Sequence, residues 1–197
     1  MSYAIHCTLN FLNGNQKMEK NEKKVKIVLG DICYPKSQAL VIPSNTKGIM
    51  SRGVLSKILK DGWKGIEREA KRVSLEEKVE IGDCFSTIPG RLKRRGVKKI
   101  YHCVIKRLPS DYTSITIIHN AITKVIKRVI DDGMESITFS GIGIEPGDLD
   151  VRSVARVMYD ICILFQDKIE IKIIDDNEEF IKDLSALFGD GCEEKTK

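Results

Sequence analysis

Apolar positions recur along this chain with two periods, near two and near 3.6 residues, and these divide it into strands and helices. Tyr3, Ile5, Cys7, Leu9 and Phe11 alternate with polar residues and predict a half-buried strand. Asn13-Gly14-Asn15 marks a turn, and the charged run 17–24 reads as a solvated connection. A second strand is predicted over 25–29, antiparallel to the first. A third, over 39–42, ends at Pro43-Ser44-Asn45. Val54, Leu55, Ile58 and Leu59 mark a short helix. A further helix turns Ile66 and Ala70 inward and Glu67, Arg68 and Lys71 outward. Strands follow over 84–88 and 100–105. Ser110 or Asp111 is the expected cap of a helix that buries Ile115, Ile118, Ile122, Val125, Ile126 and Val129 and ends at Gly133.

The sharpest pattern lies in 136–165. A β-branched run, Ile137-Thr138-Phe139, breaks into a loop holding Gly141, Gly143, Pro146 and Gly147. A helix resumes at Asp150, with Val151, Val154, Ala155, Met158, Ile161, Cys162 and Phe165 on one face and Asp150 at its N-cap. Strand, glycine loop and helix N-terminus together gather free backbone N–H groups and suit a phosphate. A plain βα turn with glycines for tightness accounts for the same residues. A last strand over 169–174 and a helix containing Phe180, Leu184 and Leu187 follow, with a flexible tail over 190–197.

Strand–helix alternation in the later half implies an α/β sandwich. A mixed, mostly parallel central sheet is flanked by helices in three layers, as a single domain over 1–189. In such sheets ligand loops sit at the carboxyl ends of strands. Asp31, Asn45 and the loop 141–147 all follow predicted strands and are expected at one edge of the sheet.

Composition narrows the function less. At 197 residues and 42% hydrophobic content, the chain is long enough to bury a core. A net charge of +5 permits anionic partners without demanding them. Apolar runs fall short of a membrane span, and the N-terminus lacks a signal-peptide pattern, so a cytoplasmic protein is expected. None of the six cysteines forms a CxxC pair, which argues against a metal or disulfide framework and for buried thiols. Residues 91–99 carry six cations with no interleaved aromatic, so a solvated hairpin is favoured there over a nucleic-acid patch.

Four blocks in order resemble the macro domain, an ADP-ribose-binding module. They are Val28-Leu29-Gly30-Asp31-Ile32; Ala39-Leu40-Val41-Ile42-Pro43-Ser44-Asn45 with Met50-Ser51-Arg52-Gly53-Val54; Gly82-Asp83-Cys84 with Ile100-Tyr101-His102-Cys103-Val104; and Ile137-Thr138-Phe139-Ser140-Gly141-Ile142-Gly143. The resemblance implies a ligand, ADP-ribose or a related nucleotide or an ADP-ribosylated macromolecule, and no further cofactor. It implies that Asp31 accepts the adenine amino group beside Ile32 and that Asn45 lies near the distal ribose. Ser51, Arg52, Gly53 and Val54 would form the first loop. Gly141, Ile142, Gly143, Ile144, Glu145 and Gly147 would wrap the diphosphate, and Phe180 would stack on adenine. In purely structural terms Asp31 caps a turn, Asn45 ties a loop, Phe180 is core and His102 is structural. In one branch of the family a lysine on the strand after the central motif is the nucleophile in removing ADP-ribose; Lys106 falls near that place, though Lys106-Arg107 also reads as a basic strand end.

This chain departs from the family in both loops. Ser51-Arg52-Gly53-Val54 stands where G-G-G-V is usual, and Glu145 replaces a phosphate-loop glycine. The departure sets a cation and an anion in facing loops, either by drift or as a pair across the groove. It keeps open a second class of function, a degenerate macro fold acting as a non-catalytic interaction module.

Overall fold

The computed structural model describes residues 25–146, 148–189 and 192–193. The first predicted strand, the run 17–24 and Gly147 lie outside the described residues. Among the described residues, seven strands form one sheet: β1 Val25–Leu29, β2 Ala39–Asn45, β3 Cys84–Thr87, β4 Lys99–Lys106, β5 Ser136–Phe139, β6 Glu170–Asp175 and β7 Cys192–Glu193. Their order is β3-β4-β2-β5-β6-β1-β7, and only the β3–β4 pair is antiparallel. A parallel strand covered on both faces needs an unbroken apolar run rather than alternation, and all seven residues of β2 are buried. β7 falls in the stretch read as a tail and extends the sheet beside β1.

Five α-helices among the described residues complete the layers. α3 (Ile115–Asp131), α4 (Val151–Phe165) and α5 (Glu178–Phe188) bury their apolar stripes against Val41, Tyr101, Phe139 and Ile171 on one face of the sheet. α1 (Gly53–Gly62) and α2 (Gly65–Glu76) cover Leu40, Ile42, Ile100 and Val104 on the other. This is the expected three-layer sandwich. The Asp150 cap is present: its carboxylate accepts from Ser153 N at 2.9 Å. Because β2, β5 and β6 run parallel, the loops after them emerge along one edge, where the site lies.

Three expectations need correction. Residues 91–99 do not make a hairpin. Gly90–Arg95 is a 3₁₀ turn between Gly90 (φ 56°) and Gly96 (φ 93°), pinned by fully buried Leu92. Cations at successive positions offered no alternation to pair in a ladder. Neither Ser110 nor Asp111 caps α3: Asp111 closes a tight turn with Leu108, and Ser114 Oγ accepts from Ile117 N at 3.3 Å. Phe180 is completely buried against the α3–α5 face and offers no ring to a nucleotide.

His102 is structural. It is fully buried, stacked on Phe85 with ring centroids 4.4 Å apart, and its Nε2 lies 2.9 Å from Thr87 Oγ1. Burial, which penalises the charged form, holds its pKa down to about 3. No helix among the described residues is long and apolar enough to cross a membrane.

Candidate functional site

The loop after β5 and the start of α1 face each other across two cavities at the carboxyl edge of the sheet. The larger, of about 410 Å³, runs between Gly53, Val54 and Lys57 of α1 and Gly141, Ile144 and Pro146. Gly30 and Ile32 line it after β1, and Asp175, Asp176 and Asn177 after β6. The smaller, of about 30 Å³, lies among Ser44, Asn45, Ser51, Arg52, Lys106, Gly143 and Asp148. Pro43 and Glu145 line both. Glu145, with Pro43, therefore stands between the two spaces.

Its position follows from Gly53, where φ is 55°. A Cβ there would stand 2.3 Å from Glu145 Oε1, so only glycine lets the carboxylate lie this close. α1 begins at Gly53 with no side-chain cap and no acid in its first turn. The Glu145 carboxylate thus lies beside the first residue of α1, near the positive end of the helix dipole, without accepting a bond from the helix's first N–H groups. No ion pair joins Arg52 to Glu145, although both line the small cavity. Of the two accounts of these loops, the pair across the groove is absent, which leaves drift; Arg52 is exposed and Glu145 lies beside Gly53.

The large cavity is lined with acid. Asp175 Oδ2 accepts from Gly141 N at 2.9 Å and its Oδ1 from Asn177 N at 2.9 Å. Burial pushes its pKa up, and the two N–H bonds pull against that shift. Lys57 pairs with Asp176, whose bonded carboxylate raises the lysine's pKa. Asp31 stays exposed beside Gly30 and Ile32; its Oδ1 accepts from Cys33 N at 2.8 Å and closes the local turn.

Asn45 is 2% exposed and spends its amide on the following loop. Oδ1 accepts from Lys47 N and Ile49 N at 3.1 and 3.2 Å, and Nδ2 donates to Ile49 O at 2.8 Å. Next to it, β2 and β4 slip register. Ser44 pairs with Val104 but Asn45 with Lys106, so Ile105 is passed over and Lys106 turns to the cavity side. There Lys106 Nζ meets Asp148 Oδ1 at 2.5 Å, with side chains only 9% and 7% exposed. Ser44 Oγ, in the same wall, is buried without a partner among the described residues.

Of the residues expected to bind, Ile32, Ser51, Arg52, Gly53, Val54, Gly141, Gly143, Ile144, Glu145, Asn45 and Lys106 converge on these cavities. Ile142 faces the core and is fully buried, as is Phe180. Sequence reasoning missed Ser44, Lys57, Asp148, Asp175 and Asp176. The strand-end rule that located Asn45 also reaches Asp175 and Asp176; nothing local marks Asp148 or Lys57.

The macro domain family profile matches residues 41–158. An uncharacterized protein of Aquifex aeolicus (strain VF5) is 26% identical over 167 residues, covering 84% of this chain and 98% of the relative. Among solved structures, a mutant Oceanobacillus iheyensis macrodomain with ADPR superposes with a TM-score of 0.74 at 17% identity, covering 83% of this chain and 91% of that one. The macrodomain of Mycobacterium tuberculosis DarG gives 0.67 at 19% identity, covering 76% and 96%. With the profile spanning more than half of its length, the chain belongs to the macro domain family.

Proposed function

We propose that this protein binds ADP-ribose or a related nucleotide in the large cavity and removes ADP-ribose from a modified target at the small one. The buried Lys106–Asp148 pair carries the reading. Two charges taken out of water are costly to keep, and these two lie beside Ser44 in a cavity wall rather than in the core. The ADPR named for the Oceanobacillus neighbour supports the ligand class.

The chemistry follows from the pair. Lys106 passes a proton to Asp148, and its free amine adds to the anomeric carbon of the distal ribose. The bond to the target breaks, and the target leaves with the proton held on Asp148. The ring oxygen then takes a proton from the attached nitrogen, opening the sugar to a protonated Schiff base. Water hydrolyses this to ADP-ribose and returns Lys106 as its ammonium beside the Asp148 carboxylate. Asn45 holds the adjoining loop instead of touching the sugar. Borohydride added during turnover of an ADP-ribosylated substrate should leave the sugar fixed to Lys106, located by peptide mass. No adduct in the parent protein, or an equal adduct in Lys106→Met, would refute the nucleophile.

A second reading, a degenerate fold serving as a non-catalytic interaction module, is favoured by one observation: the Glu145 carboxylate lies beside the helix start that a diphosphate would need. Calorimetry separates the two. Heat on titrating ADP-ribose supports the first, and none at millimolar ligand supports the second.

A further inference from the structure

The turn that replaces the expected hairpin has a neighbour that is distant in sequence. α1 ends at Gly62, and the chain's one tryptophan, Trp63, follows at φ 141° and 45% exposed. That backbone conformation is rare for any L side chain and an outlier for so bulky a one. Burial does not offset the strain, because nearly half of the residue is open. The ring is nonetheless held in place. A Cβ on Gly65 would stand 2.0 Å from Trp63 Cζ3, so the indole lies against bare backbone, and Arg68 Cζ is 5.7 Å from the ring centroid.

Beside the indole runs the cationic turn. Arg91 donates to Lys60 O at 2.9 Å and Asp61 O at 3.3 Å, closing the C-terminal end of α1 while keeping its charge. Buried Leu92 anchors the turn, leaving Arg91, Lys93 and Arg94 exposed. These three and Trp63 line an open cleft of about 600 Å³, and no carboxylate among the described residues lines it. Lys93 and Arg94 have no ion-pair partner among the described residues. On the far side of the turn, Arg95 lies 3.9 Å over the ring of Tyr34, itself 54% exposed.

We propose that this shelf binds single-stranded nucleic acid. A rigidly presented indole offers its face to an unpaired base, and the three cations beside it match the phosphates of the same strand. An acidic peptide would use the charges but give the strained indole nothing to stack. A duplex would keep its bases from the ring. The shelf is separate from the nucleotide cleft: it sits at the C-terminal end of α1, ten residues and about 15 Å from Gly53.

Because Trp63 is the single tryptophan, its fluorescence reports the contact directly. Titrating a short oligothymidylate at low salt should quench it. The slope of log affinity against log salt should be about −2 for three phosphate contacts. Anisotropy of a dye-labelled oligothymidylate should show about tenfold weaker binding to Trp63→Ala. The paired change Lys93→Glu with Arg94→Glu should weaken binding about tenfold or more. Those two side chains are exposed, so the charge variant keeps its fold even if the tryptophan variant does not. Saturating ADP-ribose should leave the oligonucleotide bound. Absence of quenching, unchanged affinity in the charge variant, or displacement by ADP-ribose would overturn the proposal. So would polyglutamate binding and quenching equally well, which would assign the shelf to acidic proteins.

Discussion

Replacing Glu145 by Gln should make the protein bind ADP-ribose more tightly and fold less stably. The two signs have one cause. In the free protein the carboxylate sits at the bare N-terminus of α1, with Oε1 2.3 Å from where a Gly53 Cβ would be. An anion at a helix N-terminus contributes about 0.3–1 kcal/mol, and the neutral amide forfeits it. For a chain of this size that lowers Tm by about 1–4 °C. A bound diphosphate needs the same helix end. Two unit charges roughly 5 Å apart at an effective dielectric of about 20 repel by about 3 kcal/mol. Glu145 is half-buried and can swing toward water, which leaves about half of that, or roughly tenfold in Kd. Calorimetric titration of both proteins with ADP-ribose, with thermal unfolding of each alone, measures the two quantities together. Unchanged or weaker affinity in Glu145→Gln would refute the idea that its charge competes with the ligand.

Removing one member of the Lys106–Asp148 pair, as Lys106→Met or Asp148→Leu, should cost about 3 kcal/mol by denaturant unfolding, since a buried charge is left alone. The double variant should recover to within about 1 kcal/mol of the parent, and a double-mutant cycle with no coupling would contradict the pairing. Phe180→Ala should cost about 3–5 kcal/mol of stability yet leave ADP-ribose affinity unchanged where the protein is folded; selective loss of affinity would return Phe180 to the site. His102 should make the fold acid-sensitive. Its folded pKa is held near 3 against an ordinary 6.5, so in that window the unfolded chain takes up a proton that the folded chain refuses. Its contribution is whole above pH 6.5 and falls by about 1.4 kcal/mol per unit as pH drops toward 3. A His102→Gln variant, compared by unfolding at several pH values, should lose that slope.

The sequence by itself determined the layers and the edge on which the site stands. Periodicity is a local property. The α4 stripe from Val154 to Phe165, its Asp150 cap and the unbroken apolar run of β2 could be read because each is encoded within a few turns or one strand. Asn45 and the loop 141–147 could be placed by the rule for strand ends. Where expectations missed, competing choices had similar local signals. Ser110, Asp111 and Ser114 are all capping residues, and only the packing of α3 selects the last. Phe180 suited either a ring contact or the core until α5 docked and buried it completely. Tertiary structure alone decided the rest, because those features join residues far apart in the chain. The register slip between β2 and β4 turns Lys106 toward Asp148, 42 residues on. Folding lays Glu145 against Gly53 rather than Arg52. It also brings Trp63 beside a basic turn that in sequence has no aromatic residue within it, because the carbonyls ending α1 need donors and Arg91 supplies them.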